Sequence, residues 1–351
     1  MRFSFSIVPF AEPGAADPYR RTYDLCRIAE DVGFHTAMIG HHHFVSHLPS
    51  DPLLFLAAVA ARTRTLRLTT AIYLLPVHHP LHVAEQVALL DQISGGRAGL
   101  GVGVGWNPLE YEAFGAHLAE RGARLEEALG VLREAWTTER FSHHGRFWSF
   151  PEVAVHPQPV QQPHPPLWVA GLAPAAIDRA ARLADAWICD PVQTTAQVEV
   201  LAAMYREACA AHGRDPAWVL RRYVWIGSHR DLEERWLPTF VEHQLAYWRV
   251  SAEGPQERRL FERLDAGETV EAREVAADRF MGGPPDDVIA QIEDCRARTG
   301  CDHISIGFGG GMSGRPADTD HDAAYEEMRT MIERFGREVI PAFAGATGTR
   351  R

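Results

Sequence analysis

Lysine is absent, and all 35 basic side chains are arginine. Without a lysine amine, Schiff-base chemistry and carboxylated-lysine metal sites are excluded. Any clamp on a phosphate must use arginine, backbone amides or helix N-termini. Cysteine is scarce: Cys26, Cys189, Cys209, Cys295 and Cys301 form no C-x-x-C pair and are odd in number. They read as reduced thiols filling the core, not as a disulfide or metal framework. No run of the chain approaches the roughly 20 apolar residues of a membrane span. The opening residues 1–7 read as a short strand rather than a leader, so a cytoplasmic protein that engages no membrane is expected. A positive stripe is also missing. The formal charge is −11 with the arginines dispersed, which argues against nucleic acid as a partner.

What is present is alternation. Strand patterns at 3–8, 36–39, 67–74, 98–104, 167–170, 186–189, 219–227 and 303–306 are separated by helical patterns at 19–32, 52–62, 80–93, 121–137, after Pro174, and at 196–212 and 285–298. A last helical pattern covers 322–339. Eight strands in that order predict a parallel (β/α)8 TIM barrel of the α/β class. Two stretches break the rhythm: 139–166, rich in proline, and 231–281, helical and charged. The expected organisation is one barrel domain over 1–341 with these two insertions, then a frayed tail at 342–351.

Candidate chemistry gathers at the strand ends. Gly99, Gly101, Gly103 and Gly105 alternate along one strand, leaving a face without side chains that suits a flat cofactor or a tightly filled barrel centre. His41, His42 and His43 follow a strand that ends near Gly40, at the rim where barrel enzymes work. An imidazole there can exchange protons near neutrality, although three solvent-facing loop residues fit the same letters. His47, His78, His79 and His82, with His78 and His82 four apart, would suit a binuclear metal site only with converging carboxylates, and there is no H-x-H on the first strand and no E-x-x-H pairing. Arg97 precedes the glycine strand on the opposite face and is expected to serve the fold. Arg121 and Arg124 open a helix, where a cation opposes the dipole unless an anion sits nearby. Gly171, Leu172 and Ala173 lie between a strand and a helix and offer main-chain donors to a phosphate. Gly307 to Gly311 add a glycine-rich rim segment.

Gly40-His41-His42-His43-Phe44 together with the glycine strand resembles the bacterial luciferase-like family of flavin-dependent monooxygenases. The resemblance is dense over 3–187, returns at 282–306 and leaves about 228–275 unmatched. It implies a homodimer, formed through helices of the first half, that uses reduced FMN from a separate flavin reductase and molecular oxygen on a small, apolar organic substrate. In such enzymes oxygen adds to the reduced flavin as a peroxide, which needs a dry pocket to survive. The family carries Glu-His-His-Phe at this place. Aligned on Phe44, its two histidines fall on His42 and His43, with His42 the proton-handling group, and its glutamate is replaced by His41. The resemblance further implies Thr70, Ala71, Ile72 and Tyr73 as the bed of the isoalloxazine, with Val104 and Asn107 beside the cofactor. It puts Arg121 at the phosphate with the main chain of Gly171, Leu172 and Ala173. Where this chain has Val104 the family's namesake has arginine, and where it has Leu172 and Ala173 relatives often have Ser or Thr. Residues 251–275 would be a lid. Three other readings compete: a deazaflavin-dependent hydride-transfer enzyme, sharing Gly-x-Gly-x-Gly-Trp-Asn and the Arg121–Arg124 pair, a metal-dependent hydrolase, and a non-catalytic flavin-binding paralogue.

Overall fold

The computed structural model describes residues 1–9, 16–45, 48–250, 255–308 and 320–344. In chain order the elements are β1 (Arg2–Ser6), α1 (Arg20–Asp31), β2 (Thr36–Ile39), α2 (Pro52–Ala60), β3 (Arg67–Thr70), α3 (Pro80–Ser94), β4 (Leu100–Val102), α4 (Pro108–Ala113) and α5 (Arg121–Thr137). Then follow β5 (Phe141–His144), β6 (Ser149–Val153), β7 (Leu167–Ala170), α6 (Pro174–Leu183), β8 (Ala186–Cys189), α7 (Thr195–Ala211) and β9 (Trp218–Ile226). The last are α8 (His229–Asp231), α9 (Leu237–Val250), α10 (Pro255–Asp265), α11 (Ala272–Ala276), β10 (Phe280–Gly283), α12 (Pro285–Thr299), β11 (His303–Phe308) and α13 (His321–Arg334). Local chemistry sets several ends: Pro80 opens α3 and left-handed Gly95 closes it, while α7 begins on a Thr194/Gln197 capping box.

Parallel pairing runs β3-β2-β1-β11-β9-β8-β7-β4. Bridges Leu68↔Ala98 and Tyr73↔Val102 join the two ends, so the ring of eight expected strands closes into a (β/α)8 barrel. β8 pairs the first part of β9 and β10 pairs the last part, so β10, which the sequence pattern did not reveal, continues the line of β8. The 139–166 insertion contains an antiparallel hairpin, β5–β6, also unforeseen. Its proline run follows the hairpin, as proline cannot donate to a ladder. Of the segment expected as a lid, 251–254 lie outside the described residues and the remainder carries α10 and most of α11. Most of the expected frayed tail also lies outside the described residues, but Phe343 is buried with its ring 5.4 Å from Phe3.

The glycine strand takes the second of its two expected roles, a tightly filled barrel centre. Its bare face receives side chains of the barrel itself, not a ligand. A Cβ on Gly99 would lie 3.3 Å from Thr69 Oγ1, one on Gly101 would overlap the Thr70 carbonyl oxygen and stand 2.8 Å from Ile188 Cδ1, and one on Gly103 would lie 2.9 Å from Ile72 Cδ1. Glycine is therefore what lets β3 and β4 close the ring. The expected strand at 67–74 is shorter in the structure: after Thr70 the chain leaves the ladder, with a cis Ala71–Ile72 peptide, and rejoins at Tyr73. Met38, Ala71, Ile188 and Val219 fill the layer there.

Arg97 clamps the N-terminal end of the barrel. Its Nε donates to Ser94 O at 2.7 Å, Nη1 to Leu66 O at 2.8 Å and Thr63 Oγ1 at 3.0 Å, and Nη2 to Ala60 O at 2.9 Å and Thr63 O at 3.1 Å. Arg97→Met leaves these acceptors without their donor. It is expected to lower unfolding free energy by about 2–4 kcal/mol, read by urea denaturation. Unchanged stability would show that the clamp is idle.

Candidate active site at the barrel mouth

The three consecutive histidines divide the work. His41 is buried and both ring nitrogens are engaged: Nδ1 accepts from Leu74 N at 3.3 Å and Nε2 donates to Ser50 O at 3.1 Å. It ties the end of β2 to the bulge after β3, and burial pushes its pKa down to about 2. His43 packs against Phe114, ring centroids 4.4 Å apart, with Nε2 3.4 Å from His78 Nε2. Burial lowers its pKa as well. His42 stands at the rim, its ring edge-on to Trp106 at 6.1 Å.

An acidic partner comes from α4. Glu110 is fully buried in that helix's first turn. Its Oε1 accepts from the His43 backbone N at 2.8 Å and lies 3.3 Å from His42 Nδ1. The carboxylate favours the His42 proton on Nδ1, so Nε2 is the ring nitrogen that Glu110 does not engage. Glu110 Oε2 has no partner among the described residues. Sequence reasoning missed both α4 and Glu110. The available signal was the Asn107-Pro108 start, since Asn107 Oδ1 caps Leu109 N at 3.1 Å and Pro108 takes the first helical position.

The ring nitrogens of His41, His43 and His78 lie within 4.8 Å of one another. A metal would have to take a His41 nitrogen from Leu74 N or Ser50 O, and Glu110 is committed to His42 and His43 while Asp51 caps α2. Packed, neutral imidazoles account for the cluster. Their pH dependence follows: burial lowers His41 to about 2 and His78 to about 4, whereas in the unfolded chain both titrate near 6.5. The folded pKa values are depressed, so the stability from keeping these rings neutral is complete above about pH 6.5. It is lost as pH falls from there towards 4, on the order of 1 kcal/mol per ring per pH unit. Denaturant titrations at pH 7 and pH 5 check this, and equal stabilities would contradict it.

The expected isoalloxazine bed is partly sealed. Thr70 is fully buried and its hydroxyl donates to Gly101 O at 2.7 Å, and Ala71 is buried too. Tyr73 is buried as well, so of the four residues Ile72 alone is more than marginally exposed. Thr70 therefore belongs to the wall and shapes the bed from below. Val104 is half-buried, and its carbonyl accepts from the Tyr111 hydroxyl.

Arginines and helix starts meet beside this bed. Arg121 opens α5, donates to Leu118 O at 3.1 Å and pairs with no carboxylate among the described residues. Arg124 is more committed: Nε donates to Pro76 O at 2.9 Å, and the guanidinium lies over Phe147 and Trp148. Arg179, on α6, reaches the start of α5, where its Nη2 would lie 2.9 Å from a Cβ on Gly122. Position alone hid it, because it sits more than one turn inside a helix. Gly171 accepts from Trp187 Nε1 at 2.8 Å, and a Cβ there would overlap the Ala176 methyl. Ala173, the N-cap of α6, contributes no capping hydrogen bond and no acidic residue occupies the first turn. Arg179 is itself 3.7 Å from Glu126, whereas a helix start without a side-chain cap and the carboxylate-free Arg121, at the same end of the barrel, fit a phosphate. Gly309, Gly310, Gly311 and His47 lie outside the described residues.

The C-terminal mouth of the barrel thus carries an imidazole–carboxylate pair, a helix start without a side-chain cap and an arginine with no carboxylate partner among the described residues. Residues 1–303 match the family model of luciferase-like monooxygenases, and the chain belongs to that family. It is 29% identical, over 95% of this chain and 92% of the relative, to the oxygenase component of flavin-dependent trigonelline monooxygenase from Acinetobacter baylyi. Among solved structures it is similar to monooxygenase RslO1 from Streptomyces bottropensis, with TM-score 0.78 and 28% identity over 98% of this chain and 100% of that one. It also shares its fold with the oxygenating constituent of 3,6-diketocamphane monooxygenase from Pseudomonas putida in complex with FMN. That match has TM-score 0.77 and 21% identity over 97% of this chain and 98% of the other. No helix among the described residues is long and apolar enough to cross a membrane.

Proposed function

We propose that this chain is the oxygenase of a two-component flavin-dependent monooxygenase, taking reduced FMN from a separate reductase and using molecular oxygen on a small apolar organic substrate. The observation that carries this reading is the His42–Glu110 pair after β2, at the same end of the barrel as the start of α6, which lacks a side-chain cap, and Arg121. Bound reduced FMN supplies the electrons that activate oxygen. The chain's own residues do the rest: Arg121 and the amides after Gly171, from Leu172 and Ala173 onward, hold the phosphate. Ile72 supports the ring, with Val104 and Asn107 lining its edge. His42 exchanges a proton through Nε2 while Glu110 fixes its orientation. Exposed Phe44 and Phe114, stacked with centroids 5.9 Å apart, supply apolar surface at the mouth to shed water.

The phosphate assignment has a direct test. FMN should bind at least about tenfold more tightly than riboflavin, and Arg121→Ala should weaken FMN by about tenfold while leaving riboflavin unchanged. Equal weakening of both flavins would remove Arg121 from the phosphate. A homodimer through α2 and α3 belongs to the same reading, since Leu54, Leu89 and Ile93 on those helices are exposed. A monomeric sedimentation coefficient would refute it.

A further inference from the structure

Arg222 is an uncompensated charge in the barrel wall. Val219 points into the barrel with Met38, Ala71 and Ile188, and strand alternation therefore sends Arg222 outward, under α7 and α12. Only 1% of it is exposed. Nη1 donates to Arg221 O at 3.2 Å and Nη2 reaches Thr195 Oγ1 only at 3.5 Å, while Nε has no partner. No carboxylate pairs with it among the described residues. A guanidinium stays protonated at any physiological pH, and burying it without a counter-charge is unfavourable.

The side chain lines a cavity of about 380 Å³ together with Thr195, Asp278, Arg279, Gln291 and Asp294. The two carboxylates on that wall are occupied: Arg298 Nη1 donates to Asp278 at 3.2 Å and to Asp294 at 3.3 Å, and Asp278 also accepts from Ala196 N at 3.0 Å. Arg279, on the same wall, donates to the carbonyls of Val192 and Val275. The cavity lies between β9, α7 and α12, and none of its lining residues belongs to the mouth site.

We propose that this cavity between β9, α7 and α12 binds a small organic oxyanion, a carboxylate or a phosphate monoester, whose oxygens complete the hydrogen bonding of Arg222. The pairing of a buried cation with a ligand anion makes occupancy a source of stability.

Thermal unfolding at constant ionic strength tests this, comparing chloride with inorganic phosphate and with glycolate. The wild-type midpoint should rise by about 2–4 °C in the favoured anion, and whichever of phosphate and glycolate acts identifies the source. Arg222→Met should show no such rise and should be at least as stable as the wild type in chloride, because it removes a buried charge. Ala290→Trp, at the exposed edge of the cavity on α12, plugs the space without touching the core and should also abolish the response. It decides the matter if Arg222→Met does not fold. The Arg121 site is common to all three proteins, so its own response to anions cancels. Equal rises in all three, or a rise in none, would overturn the proposal.

Discussion

His42→Ala is expected to cut oxygenated product per reduced FMN consumed by about 10²–10⁴-fold, the usual span for a lost general acid–base group. FMN affinity should stay within about twofold, because the ring contacts the protein through Glu110 and not through the phosphate cradle. Glu110→Gln keeps the size of the side chain, but its amide cannot serve as the negatively charged acceptor of both His42 Nδ1 and His43 N. A loss of about 10–100-fold is expected there, together with a displaced pH–rate profile, which a merely structural role would not produce. Because Glu110 acts through His42, the two losses should not multiply. The double variant should be no slower than His42→Ala alone. Multiplied losses would show that Glu110 works independently of the imidazole.

Gly101→Ala should be among the most damaging single changes in the barrel. The new methyl group overlaps the Thr70 carbonyl oxygen, which is backbone and cannot swing aside, and it crowds Ile188. A destabilisation of about 3–5 kcal/mol is expected, read by denaturant unfolding or by loss of soluble protein. Gly130→Ala is the control. It lies within α5, and a methyl group added there meets nothing within 4 Å, so it should be neutral or stabilising by up to about 1 kcal/mol. Equal stabilities for the two variants would mean that β3 and β4 do not close the ring as described.

The contrast between these two sites shows what a sequence carries and what it does not. The barrel was legible because each strand and helix announces itself through its own periodicity, and the right-handed order of the units leaves few alternatives. The extra strand β10 and the hairpin β5–β6 escaped because they are short and lack a clean apolar alternation. Glu110 escaped for a different reason: it lies 68 residues from His42, and only the closing of the ring between β3 and β4 brings the start of α4 beneath the histidine loop. The missing glutamate at His41 therefore did not mean a missing carboxylate. Four alternate glycines likewise show that one face is bare, but not whether protein or ligand fills it. Here Thr69, Thr70 and Ile72 do. His41, adjacent to His42, was legible as a rim residue, yet its two hydrogen bonds to Leu74 and Ser50 make it a brace.

The most direct measurement is an anaerobic titration of the purified protein with reduced FMN and, separately, with the reduced deazaflavin coenzyme, followed by absorbance. Micromolar binding of reduced FMN, with the deazaflavin at least about tenfold weaker, is the predicted result. Preference for the deazaflavin, or binding of neither below the millimolar range, would contradict a mouth built for reduced FMN.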